Sequence, residues 1–266
     1  ADHPEDIRPC IRCNEGCLER SFYCYKAVTC ALNPQISREG ELEITPAAVK
    51  KNIAVVGGGP AGLEAARVLS LRGHSVTLVE MGELGGQLNE ASVPEFKADI
   101  RGFRDYLITA VNKQGVKLEH KAAIPSDLTS FDAVICATGS RPKACPLPGA
   151  EKAVDAADVL KGKAKVGHKV VMLGVGLVGS EKAGMNICTN TTPLEIVDGG
   201  VMVKFKGEVR KIEADTVVYA FGAAAQHALC DELKAQGREV YLVGDAKGPA
   251  KIMDAIHTAY KLAVRL

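Results

Sequence analysis

The chain has 266 residues, 47% of them hydrophobic and 24% charged, with a formal net charge of +1. That size and balance describe a globular protein of one or two domains, and the near-neutral charge gives no electrostatic reason to expect a nucleic-acid or membrane-surface partner. Neither an apolar span of about 20 residues nor a charged-then-apolar leader stands out, so a cytoplasmic location without membrane contact is expected.

Ala1 stands where a methionine would begin a natural chain, and an upstream segment is expected. The first feature is "CIRCNEGCLERSFYCYKAVTCALNP", Cys10 to Pro34, which holds five of the nine cysteines. In a reducing compartment such a cluster points to a metal or catalytic site rather than to disulfides. Cys10, Cys13, Cys17 and Cys30 stand as C-x2-C-x3-C-x12-C. Four converging thiolates hold either an iron-sulfur cubane or a structural zinc ion, and the spacing leaves both open, although zinc sites usually come as two C-x2-C pairs. Gly16 permits a tight turn between ligands. Cys24 could replace Cys30 as the fourth ligand, but it lies between the aromatics of "SFYCYKA" and is expected to pack, so Cys30 is favoured. The polar stretch "SREGELEITPAAVK" reads as a linker.

After residue 50 the signal changes to alternating strands and helices. "KKNIAVVGGGP" is a β-branched run ending in glycines, "AGLEAARVLSLRG" has apolar residues at helical spacing, and "HSVTLVE" is a second strand, which makes a βαβ unit and hence a parallel sheet. Gly57, Gly59 and Gly62 form G-x-G-x-x-G at the strand-to-helix junction, with Pro60 and Ala61 between the last two. Glu80 closes the next strand 18 residues after Gly62. These are the requirements of a dinucleotide site: a tight turn, close backbone approach to a pyrophosphate at a helix N-terminus, and a carboxylate for a ribose hydroxyl. A helix is expected in "KADIRGFRDYLITAVNKQG", with strands in "GVKLEH", "FDAVICATG", "HKVVMLGVG" and "EVYLVGD". Two segments favour FAD over NAD here. "ICATGSRP" ends a strand at Thr138 and Gly139, and "YLVGD" ends one at Gly244 and Asp245 before a long helix, so that Asp245 can meet a ribityl hydroxyl and the helix can stabilise a reduced flavin.

Taken together, "CIRCNEGC" with "CALNP", "GGGPAGLEAARVLSLRGHSVTLVE", "LGGQL", "ATGSRP" and "YLVGD" resemble the C-terminal part of the iron-sulfur flavoenzymes that include 2,4-dienoyl-CoA reductase, trimethylamine dehydrogenase and the clostridial enoate reductases. The resemblance covers almost the whole chain. It implies a 4Fe-4S cluster on Cys10, Cys13, Cys17 and Cys30, and flavin contacts from Gly86, Gln87 and Leu88. It also implies a Rossmann-like FAD-binding domain interrupted by a smaller NAD(P)-binding-like domain. In that family hydride enters FAD from NAD(P)H, single electrons cross the cluster, and FMN in an N-terminal TIM barrel reduces an activated alkene; the amine dehydrogenases run outward instead. Nothing in this sequence could form the barrel, so an FMN-containing barrel domain or subunit is an expected partner. An electron-transfer protein and an oligomeric assembly are further expectations, and no catalytic residue stands out.

The nucleotide domain departs from the pattern. "VVMLGVGLVGSEKAGMN" opens a second G-x-G-x-x-G with Gly174, Gly176 and Gly179, yet its helix stops within a few residues. Asp198, 19 residues after Gly179, could be taken as a ribose acid. The alternation of "TTPLEIVDGGVMVKFKGEVRKIEADTVVYAFG", with a turn at Asp198 and Gly199, instead predicts an antiparallel meander. Either the nicotinamide site is lost or segments of a longer parent are omitted; omission is favoured, because excision would bare an apolar sheet edge. The resulting boundaries are 1–46 for the iron-sulfur segment and linker, 47–165 with 222–266 for the FAD domain, and 166–221 for the shortened NAD(P)-like domain. Cys136 is expected in the core, Cys145, Cys188 and Cys230 are isolated, and His257 is expected to pack or hydrogen-bond. The functional expectation is an NAD(P)H-dependent electron-transfer module carrying FAD and a cluster; the alternative is a non-catalytic module binding ADP or FAD.

Overall fold

The computed structural model describes residues 2–174 and 186–266. They divide into two compact units, Ala1–Ser140 with Ala225–Leu266, and Arg141–Ala224. In chain order, a π-type helix Glu15–Tyr23 precedes β1 (Asn52–Val56), α1 (Pro60–Leu71), β2 (Ser75–Glu80), α2 (Leu88–Ala91), α3 (Ala98–Lys113), β3 (Lys117–His120) and β4 (Ala133–Cys136). The chain then runs through β5 (Ser140–Pro142), β6 (Ala153–Asp155), α4 (Ala156–Leu160), β7 (Val170–Leu173), β8 (Thr191–Val197), β9 (Gly200–Phe205), β10 (Glu208–Glu213) and β11 (Thr216–Tyr219). It returns along β12 (Ala223–Ala225) to α5 (Ala228–Ala235), β13 (Val240–Leu242) and α6 (Ile252–Ala263).

The first unit is a parallel sheet in the order β13-β4-β1-β2-β3. Strand alternation sorts its faces. Ile53 and Val55 pack with apolar residues of α1, α3 and α6, while Ala54 and Val56 pack with Leu128, Cys230 and Leu233 on the other side. Burial on both faces explains why β1 and β4 read as continuous apolar runs. Because all strands are parallel, their C-terminal ends share one edge. The order reverses at β1, which has β2 on one side and β4 on the other, so a ligand crevice opens beyond the ends of β1 and β4.

The stretch expected as a linker, residues 37–50, is largely exposed but anchored at Leu42 and Ala47. Leu42, and Leu32 ahead of the stretch, belong to the same core as α1 and α6. The Tyr260 hydroxyl donates to the Leu42 carbonyl at 2.8 Å, and Arg72 Nη1 donates to the Thr45 carbonyl at 2.8 Å. A few apolar anchors in a polar stretch suffice to tie the cysteine segment to the Rossmann body.

The second unit holds a parallel sheet, β6-β11-β7, and an antiparallel one, β10-β9-β8. The latter is the expected meander, with Asp198 and Gly199 at its first turn and Gly199 at φ +71°. Asp198 is 94% exposed and pairs with Lys152 at 2.8 Å, as a turn residue rather than a ribose ligand. The division at 140/141 differs from the boundary expected at 165/166 for a definite reason. β6 pairs with β11, Ala153 opposite Val217, and so draws residues 141–165 into this unit. Among the described residues β7 is an edge strand, and Val170 on it is 43% exposed. No described helix is long and apolar enough to cross a membrane.

Candidate functional site

The crevice is built from the turn after β1. Gly57 has φ +107°, and a Cβ there would overlap the Ala137 carbonyl; a Cβ on Gly62 would overlap the Gly57 carbonyl. Both glycines are therefore demanded by backbone packing. Gly59 is different: its φ is −76°, and a Cβ would meet only Gly86 Cα, at 3.9 Å. Its open side faces the start of α1, which has no side-chain cap, with Pro60 in the first turn. Uncapped N–H groups and the helix dipole make that end suited to an anion. Two substitutions separate the roles. Gly62→Ala is expected to destabilise by ~1–3 kcal/mol through overpacking, read as a lower urea midpoint. Gly59→Ala is expected to keep the wild-type midpoint and lose dinucleotide, because its methyl occupies the ligand's approach.

Glu80 ends β2 beside this turn. Its Oε2 accepts from the Gly58 N–H at 2.6 Å and its Oε1 from the Gly82 N–H at 2.7 Å, so both oxygens are oriented while each keeps acceptor capacity for a ribose hydroxyl. The "LGGQL" loop docks on the same turn. The Gly85 N–H donates to the Gly58 carbonyl at 2.8 Å, and Gly86, at φ +53°, packs where a Cβ would lie 2.8 Å from Gly59 Cα. The Leu88 side chain is buried in the core shared by α1 and α3, which leaves its backbone for the expected flavin contact.

Three polar side chains along the edge form a relay. Gln87 Nε2 donates to Ser140 Oγ at 2.8 Å, Ser140 Oγ donates to Asp245 Oδ2 at 2.8 Å, and the Ala250 N–H donates to Asp245 Oδ1 at 3.2 Å. Ser140 was missed by sequence reasoning; its only signal is that it follows Gly139. Thr138 uses its hydroxyl to donate to the Gln226 carbonyl, and the Gln226 N–H donates to the Gly139 carbonyl at 2.9 Å. Thr138 and Gly139 thus shape the crevice wall. Gly244, at φ +60°, lets the turn before Asp245 lie against Ala61 of α1, where a Cβ would come within 2.6 Å of the Ala61 Cβ.

The cysteine segment belongs to the same unit. Arg12 and Asn14, flanking Cys13, hold positive φ values of 53° and 56°. Non-glycine residues in that region cost ~1–3 kcal/mol each and are retained where surroundings over-determine them. Gly16 is pressed onto the Cys30 segment: a Cβ would lie 2.8 Å from the Thr29 carbonyl oxygen and 3.0 Å from Cys30 Cα, and the Thr29 N–H donates to the Gly16 carbonyl at 2.9 Å. Burial, and then facing Glu15, Cys30 and Cys17, push the Cys13 thiol up. Cys10 and Cys30 line a cavity of about 200 Å³ with Arg8, Leu32, Asn33 and Ile36. Backbone donors reach two of the sulfurs, Arg12 N–H to Cys10 Sγ at 3.3 Å and Leu32 N–H to Cys30 Sγ at 3.4 Å. Cys24 is exposed.

Four thiolates on one zinc, with Zn–S of about 2.3 Å, stand about 3.8 Å apart. Among the described residues the only set of three or more candidate ligand atoms within 4.8 Å of one another is His3, Glu5 and Asp6, an exposed group that Lys113 already pairs with. No three of the cysteine sulfurs lie within 4.8 Å of one another among the described residues, so they are not gathered at the spacing of a single zinc ion; four thiolates in this segment are the donor type that a cubane takes, one at each iron.

Of the second glycine motif, Gly174 is described, at φ +85°, packed where a Cβ would meet the Ala220 carbonyl at 2.5 Å. Gly176 and Gly179 lie outside the described residues.

Residues 51–185 match the family described as pyridine nucleotide-disulphide oxidoreductase. The chain is 34% identical over 340 residues to a metal reductase of Desulforamulus reducens, covering 99% of this chain and 51% of that protein. It is 34% identical over 307 residues to a cinnamate reductase of Clostridium sporogenes, covering 98% of this chain and 46% of that protein. Among solved structures it is similar to 2-naphthoyl-CoA reductase in complex with 2-naphthoyl-CoA, at TM-score 0.90 and 30% identity over 99% of this chain and 47% of the other. The chain spans about half the length of the curated relatives it matches. At least 74 of the 340 positions aligned with the metal reductase have no counterpart in a chain of 266.

Proposed function

Because this chain belongs to the pyridine nucleotide-disulphide oxidoreductase family, and its motifs and relatives place it with the dienoyl-CoA reductase and trimethylamine dehydrogenase group, we propose that it is the electron-transfer portion of an NAD(P)H-dependent iron-sulfur flavoenzyme. It is an oxidoreductase of Rossmann-like α/β fold. The finer assignments are ours: FAD in the crevice, a 4Fe-4S cluster on Cys10, Cys13, Cys17 and Cys30, and an FMN-containing barrel as the partner that meets an alkene substrate. The observation that carries the reading is the placement of a wound, four-thiol segment and a dinucleotide crevice on one packed unit.

Bound FAD would supply acceptance of one hydride, an electron pair, from a nicotinamide and release of those electrons one at a time. The rest falls to the chain. Ala61 and Gly62 at the start of α1 present amides to the pyrophosphate, and Glu80 accepts from the adenosine ribose. Gly86 and the Gln87–Ser140–Asp245 relay border the flavin, with Asp245 held to meet the ribityl chain. Gly174, Gly176 and Gly179 would begin the nicotinamide-nucleotide site. The relatives carry positions this sequence lacks, and we read part of that domain as omitted from it.

The test is the absorbance spectrum and metal content of anaerobically purified protein. Oxidised flavin bands that bleach with NADH or NADPH, together with iron and acid-labile sulfide, are the expected result. A colourless protein that carries ADP or zinc overturns the reading.

A further inference from the structure

We propose that His257 is a positioning residue for the Cys30 thiolate, one half of a two-residue brace on α6 whose other half, Thr258, fixes the turn carrying Asp245. The inference rests on the reading of Cys10, Cys13, Cys17 and Cys30 as cluster ligands.

His257 Nε2 lies 2.9 Å from the Cys30 carbonyl oxygen. A carbonyl only accepts, so Nε2 must carry the proton. The imidazole is partly buried, which makes this bond worth more than its surface counterpart. The next residue, about 100° round the helix, holds another segment: Thr258 Oγ1 accepts from the Gly244 N–H at 3.0 Å, and donates to the Asp254 carbonyl at 2.7 Å. One rigid turn of helix therefore grips the backbone of the fourth thiol and the backbone next to Asp245. A second link runs from the start of α6, where Lys251 Nζ pairs with Glu15 Oε1 at 3.0 Å, inside the Cys13–Cys17 loop. Lys251 is half exposed, and such pairs contribute ~0–1 kcal/mol. The partly buried His257 bond is the one expected to decide register.

Cys30 is also the thiol on which the other contacts converge. Gly16 packs on its Cα, and Leu32 N–H donates to its sulfur. Partners that orient a ligand in this way typically change metal affinity by ~10- to 100-fold when removed.

The experiment uses the full chain, purified anaerobically, with His257→Ala, His257→Gln and Thr258→Val. Iron loss to a chelator is followed by absorbance, the reduced cluster by electron paramagnetic resonance, and flavin by its content per chain. His257→Ala is expected to lose iron at least ~10-fold faster, with shifted resonance and unchanged flavin. His257→Gln, whose amide N–H can donate to the same carbonyl, is expected to restore both. Thr258→Val is expected to lose flavin and keep iron. A wild-type chelation rate and resonance in His257→Ala, or a Gln variant no better than Ala, overturns the brace. Wild-type protein without iron overturns the cluster reading itself, and the brace with it; iron in the wild type with an indifferent His257 overturns the brace alone.

Discussion

Serine at Cys10, Cys13, Cys17 or Cys30, one at a time, is expected to leave purified protein with little or no iron, whereas Cys24→Ser is expected to keep the wild-type content. The difference follows from geometry. Cys10 and Cys30 face one cavity, and Cys13 lies within electrostatic reach of Cys17 and Cys30. Cys30 thus joins both pairs, and its substitution is expected to be at least as damaging as the other three despite the 12 residues that separate it from Cys17. Cys24 follows the π-type helix and is exposed, with no part in either pair. A serine hydroxyl is a far poorer ligand for iron than a thiolate, and the loss of one of four should cost well over the ~10- to 100-fold that removal of an outer partner costs. Iron and sulfide assays, with flavin content as an internal control for folding, give the result directly. Full iron in Cys30→Ser and none in Cys24→Ser would exchange the two residues' roles.

What could be read in the sequence was what local chemistry enforces. Gly57 and Gly62 are glycine because a Cβ at either would run into a neighbouring backbone carbonyl, and that constraint shows in a glycine pattern between a β-branched run and a helical one. The meander at Thr191–Glu213 was legible because period-2 alternation and a Asp198-Gly199 turn are short-range signals. What escaped depends on partners distant in the chain. Ser140 matters through Gln87 and Asp245, 53 and 105 residues away, and a lone serine after a glycine carries no mark of that. β6 is three residues long and pairs with β11, so nothing local announced that residues 141–165 leave the first unit. The Leu88 side chain joins the core through α1 and α3, which the short motif it sits in does not show.

Glu64→Ala is expected to cost ~3–5 kcal/mol of stability, the largest effect of a substitution outside the glycine turn and the thiols. Glu64 sits in α1 with no exposed surface, and its carboxylate accepts from two guanidinium groups. Arg67 approaches through Nε and Nη2 at 2.9 and 2.8 Å, and Arg8 through Nη2 at 3.1 and 3.3 Å. Burial works against the Arg67 charge, and the facing Glu64 carboxylate more than offsets it, so the group is held further toward its charged form. Removing that carboxylate leaves two largely buried cations facing each other without the anion they share. Replacing all three residues together by methionine should cost much less than Glu64→Ala, because no charge is then stranded. Urea unfolding followed by circular dichroism distinguishes the two outcomes. The triad also bears on the thiols: Arg8, two residues before Cys10, donates through Nη1 to the carbonyl of Leu32, two residues after Cys30, so it pins both ends of the segment to α1. Glu64→Ala should therefore release iron faster at urea concentrations where the protein is still folded. If its unfolding midpoint matches the wild type, the cysteine segment is held by the apolar anchors Leu32 and Leu42 and the charges contribute nothing to it.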